Sequence, residues 1–151
     1  MTTSALKDQI TEDMKTAMRA HAKERLATIR LILAALKQRE VDERIVLSDE
    51  QVLAVLDKML KQRRESITQY EAGNRKDLAD KEAEEMQVIQ HYLPTPLSTE
   101  EVQSLIESAI KESGAASIRD MGKVMGIIKP KIQGRADVSQ VSNQVKDRLA
   151  Q

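Results

Sequence analysis

The chain has 151 residues, 24 bases against 24 acids, no cysteine, no Phe, no Trp and two tyrosines. Without cysteine there is no disulfide framework, thiolate zinc site or cysteine nucleophile, and a net charge of zero leaves a local patch as the only route to nucleic acid. A hydrophobic share of 40% and a charged share of 32% suit a soluble folded protein of one or two small domains, burying roughly 70% of its unfolded surface. Its core must be Leu, Ile, Val, Met and Ala, which favours packed helices over a β-sandwich.

Leu6, Ile10, Met14, Ala17 and Met18 recur at helical spacing, with Ser4 placed to cap them. Leu26, Ile29, Leu33 and Leu36 continue the phase, and no Gly or Pro interrupts residues 4 to 44. A single helix of that span would be about 60 Å long at ~1.5 Å per residue, so a break is expected near His21–Lys23. The run LILAALK at 31–37 is apolar around most of its circumference, which predicts a central helix. Ser48 opens a capping box with Gln51, and Val52, Val55, Leu56, Met59, Leu60, Ile67 and Tyr70 mark a long third helix ended by Gly73. A fourth helix after Asn74 turns Leu78, Met86, Ile89 and Leu93 inward and stops at LPTPLS, where Pro94 and Pro96 deny backbone donors.

That stop divides the chain into a helical N-terminal domain, 1–93, a linker, 94–97, and a three-helix domain, 98–151. Ser98 opens a second capping box, ahead of a helix with Val102, Leu105, Ile106, Ala109 and Ile110 on one face and Gly114 at its end. Ser117 caps the next helix, carrying Met121, Val124, Met125 and Ile128, which Pro130 should kink or end before Gly134 releases the chain. Asp137 caps a last helix with Val138, Val141, Val145 and Leu149 inward. The fold class is therefore all-α in two helical domains. The N-terminus MTTSALKDQITEDMK lacks the apolar stretch of a signal peptide, and no run approaches ~18 apolar residues, so a cytoplasmic location without a membrane partner is expected.

The stretch DMGKVMGIIKPKIQGRAD, 120–137, holds three of the five glycines and one of the three prolines. Between 117 and 135 there are five bases, Arg119, Lys123, Lys129, Lys131 and Arg135, against one acid, Asp120. Gly122 and Gly126 lie four apart on one helical face, and each costs about 1 kcal/mol against Ala in a helix interior. That pairing points to a close approach, by a neighbouring helix or by a ligand backbone. The bases suit either a solvated face or phosphate contacts, extended by Lys146 and Arg148, with no aromatics for base stacking. If about four phosphates were neutralised, the log–log salt slope would be roughly −3 to −4.

Catalytic arrangements are missing. His21 and His91 stand alone and read as partly buried structural residues, without metal-ligand spacing. Glu82 and Glu85 share a helix face, but their expected use is an ion pair between helices with the Arg64/Glu65 region. No phosphate-binding glycine loop or nucleophile elbow occurs, and Ser104 and Ser142 have no evident base. No catalytic residue, metal site or cofactor is expected.

The run M121-G-K-V-M-G126, then G134-R-A-D137 and V145-K-x-x-L149, resembles the tail domain of GatB, the tRNA-binding subunit of a glutamine-dependent amidotransferase. The whole chain is similar to the free-standing YqeY family, with YLP at 92–94, AGNRKDLADKE at 72–82 and IRLI at 29–32 as further shared phrases. The GatB likeness covers about the last third, the YqeY likeness essentially all residues. The resemblance implies an accessory protein whose small helical tail engages the tRNA elbow through Gly122, Lys123, Met125, Gly126, Gly134, Arg135 and Ala136. Lys129 and Lys131 join on charge alone. It implies tRNA as partner, with amidotransferase subunits or a tRNA synthetase beside it, or else an adaptor role between proteins without RNA contact. GatB tails commonly carry Asn where this chain has Asp137, and an acid there suits a cap better than a phosphate. The part of GatB that activates the tRNA-linked carboxylate has no counterpart, so the family label of carbon–nitrogen ligase with glutamine as amido-N-donor describes a complete complex.

Overall fold

The computed structural model describes residues 4–150, and all their regular structure is helical. They fall into two compact units, one running to Leu93 and one starting at Pro94.

In the first unit, α1 (Ala5–Arg19), α2 (Lys23–Glu43), α3 (Asp49–Ala72) and α4 (Lys76–Gln90) surround an aliphatic core. Ile10, Ile29, Ile32, Leu36, Leu47, Val52, Leu56 and Ile89 are fully buried. The break between α1 and α2 falls at Ala20–Ala22, where His21 takes a left-handed φ of 55°. His tolerates that region better than most side chains, so the turn needs no glycine. Arg44 (φ 55°) and Asn74 (φ 61°) do the same after α2 and α3. Gly73 ends α3 as its C-cap at φ −90°, and the left-handed turn falls one residue later, at Asn74.

Both helix starts with a serine cap behave as their chemistry dictates. Ser4 Oγ accepts from Lys7 N and donates to Asp49 Oδ1, pinning α1 to the first turn of α3. Ser48 and Gln51 close a reciprocal box. Neither histidine is buried: His21 is exposed in its turn, and His91 is exposed with its ring edge-on to Tyr92 at 5.1 Å. Tyr92 is the buried aromatic, donating its hydroxyl to Asp13 at 2.5 Å; burial, then that bond, pushes its phenol above the ordinary range. An ion pair across α3 and α4 is made by Arg63. Its Nε lies 3.1 Å from Glu85 and 3.9 Å from Glu82.

Two expectations about apolar faces fail. Met18 is half exposed, and the LILAALK run is not enclosed: Ile32 and Leu36 are fully buried, while Leu31 is 48% exposed. α2 is apolar on two opposite sides, and the core covers one of them.

A charged clamp holds α1, α2 and the α2–α3 loop together. Glu40 accepts from Lys7 Nζ at 2.5 Å and from Leu47 N at 3.0 Å. The Lys7 bond, then the Leu47 bond, hold the Glu40 carboxyl below its ordinary 4.5. A folded pKa below the unfolded one means stabilisation that is complete above the unfolded value and lost as pH falls through the folded value. Glu40→Gln should therefore lessen the loss of stability as pH falls below about 4.5, measured by urea unfolding at each pH. A profile as steep as that of the parent chain would assign the acid sensitivity elsewhere.

The second unit holds α5 (Thr99–Ser113), a 3₁₀ turn (Ile118–Asp120), α6 (Met121–Ile132) and α7 (Val138–Leu149). Val102, Ile106, Ala109, Val124, Met125, Ile128, Ile132, Val141, Val145 and Leu149 form its core. Ser98 and Glu101 box the start of α5, and Gly114 ends it at φ 70°. Ser117 caps the 3₁₀ turn rather than α6 directly. Pro130 does not end α6, which runs on to Ile132. Gly134 turns the chain at φ 73° and Asp137 Oδ1 accepts from Ser139 N at 3.1 Å, capping α7.

Candidate nucleic-acid interface

The residues singled out between 122 and 136 separate into three groups. Gly122, Lys123, Gly126 and Lys129 are exposed on one side of α6. With ~100° per residue, Gly122, Gly126 and Pro130 run along a single ridge, with Lys123 and Lys129 on its two flanks. A Cβ built on Gly122 or Gly126 meets nothing within 4 Å. The glycines therefore do not serve close packing between helices of this chain. They leave a bare strip of backbone open to the outside. Pro130 has no N–H for the Gly126 carbonyl four residues back, so that acceptor lacks its helical partner on the same strip.

Lys131 and Arg135 belong elsewhere. Lys131 projects roughly 140° around the helix from Gly126 and, with Arg135, lines a shallow groove shared with Glu100, Glu101 and Ser104 of α5. Arg135 Nε donates to the Thr95 carbonyl at 2.9 Å, its carbonyl accepts from Leu97 N at 2.9 Å, and Nη2 lies 4.0 Å from Glu101. Arg135 thus fastens the proline-containing segment to the loop after α6. Met125 and Gly134 are buried and Ala136 packs against the core, so these three shape the unit from within.

The wider basic face is smaller than the sequence count. Arg148 forms a two-pronged pair with Glu107, at 2.5 and 3.1 Å, which holds the Glu107 carboxyl low and the guanidinium high. Asp120 turns its carboxylate back onto the amides of Ala116 and Ser117, at 2.9 and 3.4 Å. Those bonds, and Lys123 nearby, keep its carboxyl below the usual range. The strip is thus flanked by Lys123 and Lys129, with Arg119 exposed just before it. The open glycine strip itself was not legible beforehand, because the spacing of two glycines does not tell a packed face from a bare one. Among the described residues no group of three His, Asp or Glu is placed to hold a metal ion. No helix among them is long and apolar enough to cross a membrane.

A model of the Yqey-like protein family matches residues 7–149. Several similar proteins are named Altered inheritance of mitochondria protein 41, mitochondrial. That of Pyrenophora tritici-repentis is 32% identical over 89% of this chain and 76% of its own length. That of Vanderwaltozyma polyspora is 36% identical over 67% of this chain and 56% of its own length. That of Saccharomyces cerevisiae (strain YJM789) is 31% identical over 77% and 66%. The chain spans from about half to three quarters of the relatives it matches.

Proposed function

This chain belongs to the Yqey-like protein family, and on that premise we propose that it is a cytoplasmic tRNA-binding accessory protein related to tRNA-dependent amidotransferases. Its C-terminal unit grips the backbone of a structured RNA, the tRNA elbow, and the N-terminal unit recruits a protein partner such as an amidotransferase subunit or a synthetase. One observation carries this reading: the exposed Gly122/Gly126 strip with a lysine on either flank. A phosphodiester backbone approaches such a strip closely, the lysines neutralise its phosphates, and the Gly126 carbonyl accepts from a ribose hydroxyl.

Placing Lys131 and Arg135 on the acid-bearing side lowers the number of phosphates engaged. With Lys123, Lys129 and Arg119 as contacts, the salt slope for tRNA binding is roughly −2 to −3. Lys123→Glu/Lys129→Glu should weaken binding at least about tenfold and flatten that slope, measured by fluorescence anisotropy across a salt series. Unchanged affinity would remove the RNA reading. A second reading, an adaptor without RNA contact, seats a partner helix on the same glycine strip. Partner capture from lysate that survives RNase but is lost in Gly126→Leu would favour it.

A further inference from the structure

We propose, building on the RNA reading of α6, that Pro130 sets a preference for RNA over DNA by leaving the Gly126 carbonyl to a ribose 2′-hydroxyl. In a helix each carbonyl accepts from the N–H four residues further on. α6 holds Pro130 inside its span, and proline brings no N–H to that position. Its ring also crowds the carbonyl four residues back, and carbonyls on the solvent side of a helix tilt outwards. The carbonyl concerned belongs to Gly126, which is exposed and has no side chain to screen it. A Cβ built there would meet nothing within 4 Å, so the way to that oxygen is open. Pro130 is itself exposed. Its ring fills no space in the core, although proline is the costliest residue for a helix interior.

The groups on this face sort the parts of a nucleic-acid backbone. Lys123 and Lys129 are exposed on either flank. An ammonium group only donates, so both lysines take phosphate oxygens and read nothing of the sugar. The Gly122 carbonyl keeps its helical partner in the Gly126 N–H, which leaves the Gly126 oxygen as the acceptor on the ridge without one. An ionised phosphate brought against that oxygen has no proton to offer and is repelled. The 2′-hydroxyl is the donor that an RNA backbone has and a DNA backbone lacks. Lysines flanking a bare acceptor thus match the phosphates flanking a ribose. Pro130 acts through Gly126 and is a positioning residue.

The test uses the full chain with a tRNA transcript and the same sequence made of 2′-deoxynucleotides, compared by fluorescence anisotropy at about 0.1 M salt. The transcript should bind about three- to tenfold more tightly, the worth of one net hydrogen bond. Pro130→Ala supplies the missing helical donor, so the melting temperature should rise and the preference should shrink to within about twofold. Hydrogen exchange should show the new amide at position 130 protected, because it bonds the Gly126 carbonyl. Lys123→Glu/Lys129→Glu should weaken both ligands at least about tenfold and keep the ratio between them. Equal binding of the two nucleic acids by the parent chain, or a preference that survives Pro130→Ala, would overturn the proposal and leave the phosphate contacts standing. If neither nucleic acid binds, or the lysine variant loses nothing, the RNA reading falls and the role of Pro130 falls with it.

Discussion

Replacing Gly122 and Gly126 together by alanine should make the C-terminal unit more stable and a poorer ligand for RNA. Gly126 lies inside α6, where Gly→Ala is worth about 1 kcal/mol, and Gly122, in the first turn, contributes less. Neither new methyl meets an atom within 4 Å, so no clash offsets the gain. At about 4–8 °C per kcal/mol for a unit of this size, the melting temperature should rise by several degrees. The two methyls would stand between the helix backbone and an approaching phosphodiester chain, and a Leu pair more so, lowering tRNA affinity about tenfold at one salt concentration. Opposite signs for stability and binding mark residues kept for contact. A stabilised variant with full RNA affinity would mean that the strip faces solvent only.

Leu31 and Ile32 are neighbours of nearly equal size, yet truncation should separate them widely. Ile32→Ala removes side-chain volume from a fully buried site and should cost about 2–5 kcal/mol. Leu31→Ala removes a side chain that is 48% exposed and should stay within about 0.5–1 kcal/mol. Urea unfolding at constant m-value compares them directly. Similar losses for both would contradict the two-sided reading of α2.

These two cases show where the sequence was readable. Caps made by side-chain chemistry were legible, because Ser4, Ser48, Ser98 and Asp137 accept the amides expected of them, while Ser117 caps the 3₁₀ turn ahead of α6. Gly114 and Gly134 mark real left-handed turns. Unit one hides one of its turns, since Arg44 adopts positive φ without a residue type that advertises it, whereas His21 and Asn74 belong to types that enter that region more readily. Periodicity places Ile29 and Leu36 inside correctly but cannot say that a helix apolar on both sides has one side open. Nor can a count of bases see that Lys131 and Arg135 share a groove with α5 acids, or that Arg148 meets Glu107 across the fold. Those facts depend on how three helices pack, not on spacing along one.

The most direct test of the RNA strip is an amide chemical-shift titration of the isotope-labelled chain with tRNA at low salt. Its five glycines give separable signals spread over both units. The account predicts that Gly122 and Gly126 shift together with Lys123 and Lys129, while Gly73 and Gly114 stay in place and added salt reverses the change. Shifts centred on Gly73, or none at Gly122 and Gly126 despite binding, would contradict it.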